Sequence, residues 1–519
     1  MTPVNLEPAV QAVRTRLSEI LPPLEFYVHA SPILILLIGA LVALFVGIFR
    51  SDPEKPNYPG FWICMLSCLG AALPPALITL VKPQAYLGSG FLVDELTQFS
   101  FMLIALGTLF TLMAASFTTV GRQLLRPDFL CLLLFSSAGM MMMSSAGEFM
   151  TFFTGLEIMS VSLYVLVGYQ RRENRALEAA MKYFLLGSTA AAMLLLGMAL
   201  LYMHTGSLKW ADLRYLTISK ENPLAMLGML LLICGFAFKL AVAPFHSWAP
   251  DVYQGSHSLL TGYMTTLVKA SIVIVMIRIF GAGIANPSGA MVWIFSLLGG
   301  ASIIVGSLFG LVHNSVKRML AYSSVANAGY FCLGFATLAV NPRSLMAREA
   351  LVAYVVIYAV LNLGAFAVLS WLEEGNREDL LKDELAGLGS RHPFAAFSLS
   401  VFLLGIAGIP PVAGFFGKFL LINSAVSEGL YAIAILLVVM SCASLYYYLS
   451  IMVEMWLKPA SRSSIHPLIT EETSPMKYLV GLAVALSILI GIFGPRWASH
   501  IRFTPASETV PAASAQIMP

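Results

Sequence analysis

The sequence predicts an all-α polytopic membrane protein of about fourteen transmembrane helices, arranged as two inverted five-helix repeats, with the seventh and twelfth helices broken. Three observations predict it. The 519 residues are 58% hydrophobic and only 11% charged, with a mean hydropathy of +0.83, whereas soluble domains carry about 25% charged residues. Apolar runs of about twenty residues, each long enough to cross a hydrocarbon core, recur along the whole chain. Two of these runs are interrupted by proline and glycine at positions five spans apart.

In chain order the runs fall near 30–49, 60–81, 97–119, 127–146, 149–169, 181–203, 225–245, 259–281, 289–311, 320–340, 349–371, 394–424, 430–456 and 476–495. The first follows a segment holding Glu7, Glu19 and Glu25 beside Arg14 and Arg16. That is no positive leader before a short apolar stretch, so the run is expected to be a retained helix. Connections are short. The longest inner connection, 373–392, is polar and mixed in charge and is expected to carry a short amphipathic helix, while the Ala/Ser/Pro-rich tail 503–519 is expected to be mobile. No segment reads as β-sheet or as a separate soluble domain.

The seventh run ends in Lys239-Leu-Ala-Val-Ala-Pro244-Phe-His246, and the twelfth contains GIAGIPPVAGFFGK over 405–418. Proline removes a backbone donor and clashes with the carbonyl four residues earlier, which breaks a helix. Broken helices inside membranes expose free backbone groups beside ion sites, often at matching positions of two inverted halves. The spacing divides the chain into 1–126 with three helices, a first repeat over 127–281, a second over 289–456, and 457–519 with the last helix and tail. The dense clusters Arg171–Lys182 and Lys317–Arg318 lie on one face, which by the positive-inside rule puts both termini outside.

Composition excludes several function classes. A net charge of +3, with no basic segment interleaved with aromatics, gives no nucleic-acid partner. The six cysteines (Cys64, Cys68, Cys131, Cys234, Cys332, Cys442) sit in or beside apolar runs without metal or redox spacing and read as inert buried thiols. No G-x-G-x-x-G, P-loop or iron–sulfur spacing appears, so the chain is expected to hold no cofactor or metal.

Four charges inside the spans carry the chemistry: Glu157 in the fifth, Lys239 in the seventh, Lys269 in the eighth and Lys418 in the twelfth. A charge at mid-bilayer costs roughly 2.5–3.5 kcal/mol even on a lenient scale, so such groups face protein or water and mark ion paths. Lys269 is the most telling. It lies about ten residues, roughly 15 Å, from either end of its span, too far for its stem to reach the surface. Lysine suits proton relay because it gives up its proton when desolvated, which arginine does not. A Glu157–Lys239 pair would act as a switch: closed, it keeps the proton on Lys239, and open, it favours passage to Lys269 and then Lys418. His246, His257 and His313, titrating near neutrality as a residue type, are candidates for accessory steps. Tyr322, Ser323, Ser324, Asn327 and Tyr448 are candidates for ordering water.

These stretches also form a recognisable set. LEIMSVSLYVLVGYQRRENRALEAAMKYFLLGS, FKLAVAPFHSWAPDVYQG, KRMLAYSSVANAGY, GIPPVAGFFGKF and LYYYL, in this order over about 90–456, resemble the N-type antiporter-like subunits of proton-pumping NADH:quinone oxidoreductase, respiratory complex I. The resemblance implies a cofactor-free, proton-translocating subunit of the bacterial plasma (inner) membrane. Its partners would be the M, K, L, J, A and H types of membrane-arm subunit, and NADH, FMN, iron–sulfur clusters and a quinone would be handled by other chains. It implies relay roles for Glu157, Lys239, Lys269 and Lys418, with lysine at 418 favouring the N type over its paralogues. Three departures stand out. Gln254–Leu260 lacks the two prolines of the family's QGAPAPV, Asn327 stands where histidine is common, and Ser450 where arginine often follows the tyrosines. The alternatives are an Mrp-type cation/proton antiporter subunit, which shares the helix plan, and a membrane scaffold without ion transport.

Overall fold

The computed structural model describes residues 24–49, 56–81, 86–88, 90–171, 173–215, 222–281, 289–373, 379–460 and 475–498. Helices α1 (Leu24–Ile48), α2 (Tyr58–Val81), α3 (Glu95–Phe117), α4 (Pro127–Ser144), α5 (Phe149–Val167) and α6 (Asn174–Thr205) match the first six runs. The seventh is broken into α7a (Pro223–Leu240) and α7b (Trp248–Gly255). Then come α8 (Ser258–Gly281), α9 (Gly289–Phe309), α10 (Val316–Val340) and α11 (Leu345–Leu372). The twelfth is broken into α12a (Pro393–Ala407) and α12b (Ala413–Ser427), and α13 (Tyr431–Leu457) and α14 (Pro475–Ala498) complete the bundle. Among the described residues thirteen helices are long and apolar enough to span a membrane, and the two halves of α12 supply the remaining crossing. This is a multi-pass integral membrane protein.

Local chemistry sets the ends. Proline opens α4, α7a and α12a, where its missing N–H would be unpaired in any case. Side chains of Asp94, Ser315 and Ser344 cap α3, α10 and α11 by accepting from the backbone N–H three residues on. At the breaks, α7a ends in Ala241 at φ 59° and α12a in Gly408 at φ 89°. The left-handed region costs alanine roughly 1–2 kcal/mol, so Ala241 is a strained residue held at the interruption. The peptides Ala243–Pro244 and Pro410–Pro411, one in each break, are cis.

Two expectations need correction. Tyr86–Gly88 and Phe91–Val93 form a short antiparallel hairpin where no strand was expected, since three-residue strands are too brief for alternation to register. Cys442 is exposed and Cys234 partly so, because both lie on outward helix faces, so buried thiols describe only the other four. The connection after α11 holds two single turns, Lys382–Leu385 and Leu388–Arg391, with 374–378 outside the described residues. The tail and the first helix's approach also lie outside them.

Burial identifies the centre. In the central stretches of α8 and α10, 94% of residues are buried, and 83% in α11, against 33% in α1, α9, α13 and α14. Outward faces such as Leu185, Leu196, Trp293 and Leu482 carry large apolar side chains, as a lipid-facing surface requires. The buried polar residues of these central helices include Lys269 on α8, Ser323, Ser324 and Asn327 on α10, and Asn362 on α11.

Candidate proton-relay site

All three mid-span lysines point inward, at 2% (Lys239), 1% (Lys269) and 6% (Lys418) exposure. Each ammonium is held by hydroxyl or carbonyl oxygens, and among the described residues no carboxylate touches it.

Lys239 lies in the last turn of α7a, where the helix dipole favours a cation. Its Nζ donates to the Ser160 hydroxyl at 2.7 Å and lies 5.8 Å from the centre of the Tyr164 ring. Glu157 is half-buried one turn earlier on α5, with Oε1 buried and accepting no hydrogen bond. The expected Glu157–Lys239 contact is not formed. The hydroxyl of Ser160 occupies the ammonium instead.

Lys269 follows a π-helical turn over Met264–Val268, a feature frequent at functional sites. Its Nζ donates to the Ser324 hydroxyl at 2.6 Å and to the Ser324 carbonyl at 2.8 Å. The Ser324 hydroxyl also meets Tyr358 at 2.9 Å and Tyr253 at 3.5 Å. Lys418 reaches back across its own break. Its Nζ donates to the Ala407 carbonyl at 2.8 Å, the unpaired C-terminal end of α12a, and to Ser441 at 3.4 Å. The Tyr330 ring lies 4.9 Å from it, and the Tyr330 hydroxyl meets Ser441 at 3.1 Å.

Between Lys269 and Lys418 runs a line of tyrosines and amide. Ring centres of Tyr358 and Tyr354 are 6.5 Å apart, and those of Tyr354 and Tyr330 6.2 Å. Tyr354 donates to Asn327 Oδ1, Asn327 donates to the Ser323 carbonyl at 2.7 Å, and Ser323 shares a hydrogen with Tyr448 at 2.5 Å. Ser323, Asn327 and Tyr448 are thus joined in one hydrogen-bonded group, in which Asn327 serves as a bridge that does not titrate. Between Lys239 and Lys269 no such chain of hydrogen-bonded side chains runs among the described residues.

The histidines do not contact the lysines. His246 and His313 flank Tyr322, with ring centres 6.3 and 5.0 Å away, the second stacked at 7°. Burial and the Arg318 guanidinium hold His313, in the loop before α10, below the ordinary imidazole value. His257 is 3% exposed and sits before α8, its Nδ1 accepting from the Leu259 N–H at 3.2 Å. It restores a helix start where the prolines of QGAPAPV are missing. Ser160, Tyr164, Tyr253, Tyr330, Tyr354, Tyr358 and Ser441 were not singled out by sequence. Hydroxyl residues are common in helices, and only mid-span register opposite a lysine would have marked them.

A cavity of about 220 Å³, lined by Arg175, Glu178, Asp251, Gln254 and Arg318, opens on the side rich in arginine and lysine. Asp251 pairs there with Lys182 and Arg318, both at 2.6 Å. Among the described residues no three His, Cys, Asp or Glu side chains gather as a metal site.

Residues 146–444 match the model of the NADH:quinone oxidoreductase/Mrp antiporter transmembrane family. The NADH-quinone oxidoreductase subunit N of Trichlorobacter lovleyi is 39% identical over 368 residues, 70% of this chain and 73% of that protein. A chain in the structure of respiratory complex I from Thermus thermophilus with bound aureothin superposes with a TM-score of 0.75 at 31% identity, over 90% of this chain and 98% of that one. A chain of the Mrp complex from Dietzia sp. shares the fold, with a TM-score of 0.77 at 20% identity over 93% and 96%.

Proposed function

This chain belongs to the NADH:quinone oxidoreductase/Mrp antiporter family, and from that premise we propose that it is the N-type membrane-arm subunit of a proton-pumping NADH:quinone oxidoreductase. It translocates protons through Glu157, Lys239, Lys269 and Lys418, driven by electron transfer from NADH to quinone in partner subunits. The observation that carries this reading is the set of three buried lysine ammoniums that, among the described residues, are held by neutral oxygens alone. Such a group is stabilised by dipoles that small movements of a helix can withdraw, so its proton is exchangeable in a way a carboxylate-paired one is not.

In this reading Glu157, through space, helps keep the proton on Lys239, and movement at the strained break after α7a changes that balance. Lys269 exchanges its proton within the Ser324–Tyr358–Tyr253 socket. The tyrosine, serine and asparagine line over Tyr354, Asn327, Ser323 and Tyr448 orders the route towards Tyr330 and Lys418. Moving one charge against 100 mV costs about 2.3 kcal/mol, so the drive comes from outside the chain. His246, His257, His313 and Tyr322 are accessory. The two breaks, five spans apart, support the division into inverted repeats at 127–281 and 289–456. The clusters Arg171–Lys182 and Lys317–Arg318 support a plasma-membrane orientation with both termini outside. Partners are the other membrane-arm subunits. The sequence likeness to an N subunit favours this over Mrp-type antiport, for which the likeness speaks to fold alone.

The test is proton pumping by the assembled complex in native membrane vesicles energised with NADH. Lys239→Ala, Lys269→Ala and Glu157→Gln are expected to lower pumping while the complex still assembles. Normal pumping in both lysine variants would overturn the reading.

A further inference from the structure

Outside the relay, a buried ion pair stands where the chain's most central helices begin and end. Lys317, in the first turn of α10, and Glu373, at the end of α11, are joined at 3.0 Å, and each side chain is 1% exposed. Both also grip the junction of α7b and α8, which is the two-residue linker Ser256–His257 and Ser258, the first residue of α8. Lys317 Nζ donates to the Ser256 carbonyl at 3.1 Å, and the Ser258 hydroxyl donates to Glu373 at 2.5 Å. Between these two anchors sits His257, whose Nε2 is buried and without a hydrogen-bond partner. Beyond them the Ser256 hydroxyl meets Thr261, in the first turn of α8, at 2.6 Å.

We propose that the Lys317–Glu373 pair is a positioning site for the relay, fixing the Lys269 socket by tying together the elements that build it. The inference rests on the function proposed above. Each element it joins carries one wall of that socket. The helix α8 bears Lys269, α10 bears Ser324, α11 bears Tyr358, and α7b, leading into the linker, bears Tyr253. Ser324 is seven residues from Lys317, two helical turns or about 10 Å along α10, so a shift of the first turn reaches the hydroxyl that holds the ammonium. Desolvating two full charges costs more than packing apolar side chains of the same size. A contact needed only to fill space gains nothing from being ionic. A contact that must hold a carbonyl and a hydroxyl in fixed register gains from charge-assisted bonds, which are shorter and stronger than neutral ones.

The experiment measures protons pumped per NADH oxidised, and separately the amount of assembled complex, in native vesicles. Single variants Lys317→Met and Glu373→Gln each leave one buried charge unpaired and are expected to reduce assembly. The double variant Lys317→Met/Glu373→Gln removes both charges. It is expected to assemble and to oxidise NADH, yet to pump about tenfold fewer protons per NADH. Lys317→Arg keeps the cation and is expected to restore most of that ratio. Glu373→Asp, which retains both charges on a shorter arm, is expected to assemble and to pump at an intermediate ratio. A wild-type ratio in either the double variant or Glu373→Asp overturns the proposal. Lys239→Ala and Lys269→Ala are run alongside. If both pump normally, the relay reading itself fails, whereas a pumping double variant beside silent lysine variants removes only the positioning role.

Discussion

Replacing Ser324 with alanine probes the Lys269 socket with a single atom. The hydroxyl accepts from Lys269 Nζ at 2.6 Å and couples it to Tyr358 and Tyr253, while the Ser324 carbonyl at 2.8 Å survives the substitution. The side chain is 1% exposed, so bulk water does not replace the lost oxygen. A hydrogen bond to a charged group is worth about 1.5–3 kcal/mol. Losing it from the ammonium but not from the neutral amine changes the ratio of protonated to neutral Lys269 at fixed pH by about 10- to 150-fold. The assay is the pH profile of NADH-driven proton pumping in vesicles, with quinone reductase rate as the internal reference. Ser324→Ala is expected to lower pumping at neutral pH, with partial recovery as the pH falls and proton supply rises. Tyr358→Phe, which removes only a neutral bond to the same hydroxyl, is expected to have a smaller effect, near the ~1 kcal/mol of such bonds. An unchanged profile in Ser324→Ala, or a larger effect from Tyr358→Phe, would refute the socket as drawn.

Gly408→Ala is expected to cripple the second break, because φ is +89° and the added Cβ meets Lys418 Cδ at 2.9 Å; reduced pumping with normal assembly checks this. Arg278→Ala is expected to destabilise the subunit by about 3–5 kcal/mol, since it leaves the Asp94 carboxylate with only its Thr97 partners and no cation, where the guanidinium now grips it with two nitrogens beside Thr97 and the Ser144 carbonyl. Heating detergent-solubilised complex and following loss of this subunit reads that out. For His313 the sign is set by its lowered proton affinity in the folded chain: the unfolded chain binds more protons below the ordinary imidazole value, so stability falls as pH drops through about 6.5. His313→Phe keeps the stack on Tyr322 and is expected to flatten that acid limb in a thermal-unfolding series from pH 5 to 8.

Much of the site was legible because charge in an apolar run has so few explanations. Lys269 at mid-span cannot reach water by length alone, and the structure buries it as that argument requires. The breaks were legible because Pro244 and Pro410–Pro411 cannot continue a helix. Harder to read were the neutral partners. Ser160 and Ser441 look like any helical serine until a lysine from another helix is brought opposite, and Ser324, although a candidate for ordering water, carried no sign that it would hold Lys269. The switch between Glu157 and Lys239 illustrates the limit, since two residues on different spans share no spacing rule, and the fold gives Lys239 to Ser160 instead. The π turn before Lys269 was equally silent, because Met264–Val268 carries no proline or glycine to announce it.

By itself the sequence determined which stretches cross the membrane, where two of them break, and which four charges lie inside, because a bilayer penalises every misplaced polar group locally and residue by residue. Tertiary structure alone decided which oxygen each ammonium meets, and that the Lys317–Glu373 pair ties α10, α11 and the α7b–α8 linker together. Those choices depend on the rotation and approach of helices far apart in the chain, and apolar periodicity constrains which face is inward but not which neighbour that face will find.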